Sequence, residues 1–385
     1  MYRGAEQNPP RGNLKNYVAG FNTIIVGMVA RSDVIGSRRL LSVGMRLRLM
    51  ASLAALFAAA APAAKTLDVY LIDVEGGKAL LTVSPSGESL LIDAGWPAAN
   101  AREASTDRIV EAVKAAGLNQ IDYLVISHYD TDHIGDVPAL AARIPIRHLV
   151  DHGAFVTTNK NAEQRYAAYA GLYNKIGHTV VQAGDRIPIK GVDVQVVTAA
   201  AKVIAKPVKG GGASNPLCAG NPQKDEILTD REDNNSVGLL FTLGKFRMLD
   251  LADLEAYRNH ELVCPNNLVG TVDVYQVNVH GQFKGIAPEL VNALHARVMM
   301  MGNGPRKGGD PPTWPILRGA AGLEDIWQSH FSVAGGKANN PPDDFIANVD
   351  PNCQWKSIKL SASPDGTFTV TNNRNGFSKT YQPRK

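Results

Sequence analysis

Cysteine is scarce in this chain. Its 385 residues include three, Cys218, Cys264 and Cys353, with no C-x-x-C pair, so a structural zinc site built on closely spaced thiolates is not expected. Aromatic residues make up 6% of the chain, and no repeat of short period runs through it. A long apolar run is missing as well: the most hydrophobic stretch, residues 49–61, falls short of the ~20 apolar residues that span a bilayer. A basic surplus is absent once the charge is located. The formal net charge is +4, but residues 1–64 hold 8 Lys+Arg and 2 Asp+Glu. Taking these from 40 and 36 leaves 32 basic and 34 acidic residues, a net of −2, for 65–385. That balance gives no strong sign of sequence-specific nucleic-acid binding, which draws on Lys and Arg contacts to phosphates.

The leader has a readable grammar. Met45-Arg46-Leu47-Arg48 is a short positive region, residues 49–61 are apolar, and Ala61-Pro62-Ala63-Ala64 offers small residues for cleavage, the pattern of a secretory signal. The expected organisation is an unassigned extension over 1–44, a signal peptide over 45–64 with its start at Met45, and one domain over 65–385. No membrane span is expected once the signal is removed, and the location is periplasmic or secreted. Export places the cysteines in an oxidising compartment, which permits one disulfide and one leftover thiol with the pairing open, while buried or loosely paired cysteines are the favoured reading. Oligomeric state is not readable.

Beyond residue 65, strands and helices alternate. Residues 67–74 read as a strand, 79–83 and 89–92 as a hairpin around Pro85-Ser86-Gly87, and 107–116 as an amphipathic helix. A strand over 123–127, a helix over 137–143 and a strand over 147–150 follow. Residues 163–175 read as a helix with Tyr166, Tyr169 and Tyr173 along it, a spacing that suits core packing better than substrate stacking. Residues 205–232, rich in Gly, Pro, Asn and Lys, read as a long loop. Strands are then expected over 186–189, 192–197, 236–242, 246–251, 273–279 and 298–301, with a helix over 288–295. A C-terminal hairpin over about 355–372 turns at Pro364-Asp365-Gly366. Such alternation fits sheets layered between helices.

The chemistry concentrates in Ser127-His128-Tyr129-Asp130-Thr131-Asp132-His133, which sets four metal-ligand side chains within six residues behind the apolar run 123–126. Three more apolar strands exit into polar residues: Asp93 after 90–92, Asp250 and Asp253 after 247–249, and His280 after 277–279. Asp233-Asn234-Asn235 stands before another. Strand exits are where a layered sheet structure collects its site.

In this order the residues resemble the metallo-β-lactamase superfamily, and over residues 67–305 the chain is similar to the hydrolase-like domain of bacterial DNA-uptake competence proteins. The family's H-x-H-x-D-H reads here as His128-x-Asp130-x-Asp132-His133, with Asp in place of the second His, a substitution found in the competence branch. The resemblance implies a four-layer αββα sandwich. It also implies that His128 and Asp130 bind a first metal, Asp132, His133 and His280 a second, and that Asp253 bridges them. Asp132 would orient the attacking water, and Asp93 would hold the ligand loop without touching metal. Asp250 is the competing bridging acid. The family's middle histidine has no counterpart, since Glu232-Asp233-Asn234-Asn235 stands there; His152 is weighed as its substitute or as a pocket residue, with Asn234 and Asn235 also near the pocket. His148, His178, His260, His295 and His330 are expected to pack or lie on the surface.

The cofactor expected from this resemblance is a divalent metal, two ions of zinc or manganese, because the extra oxygen donor at Asp130 shifts preference towards harder cations without excluding zinc. Two such ions polarise the scissile group and activate water. The reaction expected is hydrolysis by an exported enzyme acting on a small molecule or a phosphodiester, the phosphodiester favoured. Alternatives are a lactone or β-lactam on the same metals, and a binding module whose site has decayed. Lys202, Lys206, Lys209, Lys224, Arg306 and Lys307 read as solvated loop charges rather than as a basic rim.

Overall fold

A computed structural model describes residues 66–98, 105–156, 160–219, 232–352 and 354–384. The leader expected over 1–64 and Cys353 lie outside the described residues.

Among the described residues, two nine-stranded sheets form the centre. The first runs, edge to edge, Ser378–Tyr381, Phe368–Asn372, Ile358–Ala362, Leu67–Leu71, Leu80–Val83, Ser89–Ile92, Ile121–Val125, Ile146–Asp151 and Gly177–Val180. The second holds Ile346–Asn348, Asp325–His330, Val298–Met301, Val274–Gln276, Phe246–Asp250, Gly238–Leu243, Asp193–Ala199 and Arg186–Ile187, with Lys202–Val203 paired on Asp193–Ala199. Within each strand the side-chain period of two separates the apolar residues into two cores. Leu90 and Ile92 enter the core between the sheets while Leu91 enters an outer one; Met248 and Val274 face inwards while Leu249 and Tyr275 face the other outer core.

Helices close both outer faces. Ile109, Val110 and Val113 of Ser105–Ala115 and Leu140 of Val137–Arg143 pack on the first sheet. Leu262 and Val263 of Ala256–Val263, Leu290 and Val291 of Pro288–Ala293, and Trp314 and Leu317 of Thr313–Arg318 pack on the second. The arrangement is helix, sheet, sheet, helix, the layering expected of the metallo-β-lactamase fold. Ser89–Ile92 and Ile121–Val125 run parallel, as do Phe246–Asp250, Val274–Gln276 and Val298–Met301.

Several expectations need correction. The strand read over 273–279 stops at Gln276, because Val279 and His280 adopt φ of 49° and 55° and turn the chain out of the sheet. The long loop over 205–232 is partly structured: Ala213–Ser214 pairs with Asn266–Asn267, and a Cys218–Cys264 disulfide ties the segment to the end of a helix. The helix read over 163–175 spans Lys160–Ala170 and then breaks into turns. Tyr169 and Tyr173 donate from their hydroxyls to Asp151 at 2.9 Å each, which makes them packing residues. Strands Asp325–His330, Ile346–Asn348 and Ser378–Tyr381 carried no pattern strong enough to read. The C-terminal hairpin adds to the first sheet, with Ile358–Ala362 antiparallel to Leu67–Leu71.

Candidate metal centre

Strand ends from both sheets meet at one end of the sandwich. Asp93 leaves Ser89–Ile92 with φ 63°, a conformation that turns its carboxylate under the next loop. Fully buried, it accepts from Ser127 N at 2.7 Å, Ser127 Oγ at 2.7 Å and His133 Nδ1 at 2.8 Å. The neighbouring histidine charge holds its carboxyl low against the opposing effect of burial.

Three imidazoles are oriented alike. With the Ser127 hydroxyl proton committed to Asp93, His128 Nδ1 donates to Ser127 Oγ at 3.0 Å. His133 donates through Nδ1 to Asp93, and His280 through Nδ1 to the Gly302 carbonyl at 3.0 Å. Each Nε2 is thereby turned inwards, the orientation in which a ligating histidine is fixed by its other ring nitrogen. His128 Nε2 is buried without a hydrogen-bond partner among the described residues. The Nε2 atoms of His133 and His280 lie 3.2 Å apart. A proton or a cation bridges nitrogens at that separation, and the unpartnered His128 Nε2 beside them is the donor that only a cation would satisfy, so these residues fit a metal.

Carboxylates complete the donor set. Asp132 Oδ2 lies 3.2 Å from Nε2 of both His133 and His280, and Asp253 Oδ2 lies 3.4 and 3.3 Å from the same atoms. Three groups of donor atoms fall within 4.8 Å of one another: His128 with His133 and Asp253, Asp132 with His133 and His280, and His128 with Asp130 and Asp233. Asp93 stands behind the donors. Burial would lower the His133 imidazole, but Asp253, Asp132 and Asp93 outweigh it and hold the proton well above the usual histidine range. Asp132 and Asp253 are held well below the carboxylate range by the histidines, and at Asp132 by Lys307, despite burial. Asp130 is pushed up, first by burial and then by Asp233 and Asp132, with His128 opposing.

Asp233 is the donor that sequence reasoning passed over. Its carboxylate reaches within 3.8 Å of His128 Nε2, and it occupies the stretch that stands where the family's middle histidine falls. The only advance signal was an acid in that place. The other residues named there take different positions. His152 Nε2 meets Glu232 Oε1 at 2.7 Å, and that same oxygen accepts from Tyr129 N at 3.0 Å, so His152 braces the ligand loop from behind. Asn234 Nδ2 donates to Glu255 at 3.2 Å, and the Asn235 carbonyl accepts from Ala200 N. His152 joins no donor group among the described residues.

Asp250 is buried in an ion pair with Lys78 and accepts from Ala252 N at 2.9 Å, so its charge is spent on joining the two sheets. Ala252, at φ 51°, accepts from Val279 N at 3.0 Å, which locks the loop carrying Asp253 to the turn carrying His280. Lys307, read as a solvated charge, is ion-paired with Asp132, and Lys284, unremarked in the sequence, with Asp233. His330 is buried against Asp73 at 2.7 Å, and His178 stacks on Tyr173 at 3.6 Å.

Residues 72–213 match the profile of the Metallo-beta-lactamase superfamily. ComE operon protein 3 of Bacillus subtilis (strain 168) is 22% identical over 264 residues, covering 65% of this chain and 30% of that protein. The chain thus spans less than a third of that relative's length. A metallo hydrolase, Igni18, from the hyperthermophilic archaeon Ignicoccus hospitalis KIN4/I matches at 14% identity over 68% of this chain and 94% of its own, with a TM-score of 0.37. A metallo-β-lactamase of Cronobacter sakazakii with a HARLDQ motif matches at 20% identity over 47% and 57%, with a TM-score of 0.27.

Proposed function

We propose that this chain, which carries a metallo-β-lactamase superfamily domain, is an exported metal-dependent hydrolase that cleaves phosphodiesters. One observation carries the reading: three imidazoles, each fixed through Nδ1, turn their Nε2 atoms inwards onto a cluster of carboxylates. His128, Asp130 and Asp233 would hold one ion, Asp132, His133 and His280 a second, with Asp253 within reach of both. Manganese or zinc suits a set of four carboxylates and three imidazoles. When bound, the ions supply Lewis acidity and a nucleophile at neutral pH. Asp132 orients the attacking water and accepts its proton, while Asp93 and Glu232 keep the ligand loop in register.

The phosphodiester reading rests on two adjacent donor groups rich in hard oxygen, a combination suited to stabilising attacking and leaving oxygens together. Export is supported by the leader's composition and by the Cys218–Cys264 bond, which belongs in an oxidising compartment. Among the described residues no helix is long and apolar enough to cross a membrane.

The test is a hydrolysis panel of bis(p-nitrophenyl) phosphate, a lactone and a β-lactam, each with manganese, zinc and magnesium. Turnover of the diester is expected. Turnover of the lactone or β-lactam alone would move the assignment to cyclic esters or amides. No turnover, with less than half an equivalent of bound metal after reconstitution, would leave a binding module.

A further inference from the structure

Lys307 reaches the donor cluster from a turn that is itself tied to a candidate ligand. Its backbone carbonyl accepts from Gly304 N at 2.8 Å, and the same segment supplies the Gly302 carbonyl that receives His280 Nδ1. Gly309 N donates to the His280 carbonyl at 3.0 Å, so the segment is pinned to His280 on both sides of Lys307. The register between Lys307 and the metal donors is therefore fixed by main-chain bonds. Its ammonium pairs with Asp132 and lies 5.0 Å from the centre of the Trp96 ring. The Lys307 side chain is 27% exposed where Asp132 is 10% exposed, so the lysine stands at the mouth of the site and the carboxylate at its floor.

Charge decides what that ammonium does in a loaded site. Asp130, Asp132, Asp233 and Asp253 bring four negative charges to the donor groups, as many as two divalent ions neutralise. Lys307 then loses the charge it faces, whereas Lys284 keeps a second partner, Glu255, at 3.5 Å. An ammonium on a flexible four-carbon stem beside a filled dication site needs an anionic partner. A neutral lactone offers none; a phosphodiester carries one negative charge shared over two oxygens.

We propose that Lys307 is a substrate-binding residue that pairs with a non-bridging phosphate oxygen and selects anionic esters. The proposal rests on the phosphodiester reading of the same site and assigns the selectivity within it. Lys307 takes no part in bond making; it holds the phosphate against Asp132's side of the cluster.

The test uses the full chain loaded with manganese, inorganic phosphate as the probe in calorimetry, elemental analysis for metal, and steady-state hydrolysis of bis(p-nitrophenyl) phosphate. Lys307→Met is expected to weaken phosphate binding roughly 10- to 100-fold, the range for a charge-assisted hydrogen bond. It should also keep the wild-type metal content and raise KM more than it lowers kcat. Lys307→Arg is expected to recover phosphate affinity to within about tenfold of wild type, since it restores the charge. Phosphate binding within twofold of wild type in Lys307→Met, at full metal content, overturns the proposal. So does a loss of metal in step with phosphate, which would make Lys307 a structural counter-ion. A wild-type chain that leaves the diester intact defeats the hydrolase reading instead, and the role of Lys307 is then decided on phosphate binding alone.

Discussion

Replacing Lys78 by Met strands a charge at the seam between the sheets. Lys78 lies on the loop after Leu67–Leu71 of the first sheet, Asp250 ends Phe246–Asp250 of the second, and their side chains are 7% and 2% exposed. Met preserves the length of the lysine stem and removes only the ammonium. Asp250 would retain Ala252 N as a donor to Oδ1, while Oδ2 has no hydrogen-bond partner among the described residues. Breaking a buried pair from one side costs about 3–5 kcal/mol. For the roughly 320 residues from Thr66 onward, unfolding entropy is on the order of 0.7 kcal/mol/K, so the expected fall in Tm is about 4–8 °C. The double variant Lys78→Met/Asp250→Leu removes both charges and should recover most of that loss, short of about 1 kcal/mol for the unpaired Ala252 N–H. Circular dichroism melts of the metal-free wild type, both single variants and the double variant give the coupling directly. A Lys78→Met melt within 1 °C of wild type, or losses that simply add in the double variant, would refute a buried inter-sheet ion pair.

Three further outcomes are expected. Asp93→Asn keeps the shape but weakens the hold on His133 and Ser127, so metal affinity should fall roughly 10- to 100-fold in a chelator competition; unchanged affinity would remove Asp93 from the support of the ligands. In the metal-free protein the raised His133 stabilises the fold fully below its ordinary value of 6.5, and that stability is lost as pH rises through its folded value. The depressed Asp132, Asp253 and Asp93 stabilise above 3.8 and lose that contribution as pH falls through their lowered values. Metal-free melts should therefore peak between about 4 and 6.5, and metal binding near neutral pH should release a proton from His133, read by calorimetry in two buffers of different ionisation enthalpy. His133→Ala should abolish hydrolysis of any substrate found while His178→Ala retains it, because His178 meets Asp151 and Tyr173 away from the donors; equal turnover in both variants would contradict the site.

Strand periodicity and the spacing of His128, Asp130, Asp132 and His133 were legible because both are local properties of consecutive residues. A period of two sorts Leu90 from Leu91 whatever the rest of the chain does. The polar exits at Asp93, Asp253 and His280 were legible for a related reason: a charged residue after an apolar run marks where a strand leaves the core. Their convergence was not. Val279, His280 and Ala252 take left-handed backbone conformations without being glycine, and nothing in their side chains announces it. The disulfide depended on a turn that brings Cys218 to Cys264 across 46 positions.

By itself, the sequence determined that His128, Asp130, Asp132, His133, Asp253 and His280 could serve as metal donors and which apolar strands they follow, since hydrophobic alternation and ligand spacing act over a few residues. Only the tertiary structure decided that Asp233 joins His128 and Asp130, that Asp250 is spent on Lys78, that His152 braces rather than joins a donor group, and that Lys307 faces Asp132. Each of those outcomes depends on which loops from the two sheets meet. That meeting is set by the packing of residues 80 or more positions apart, where no local pattern reaches.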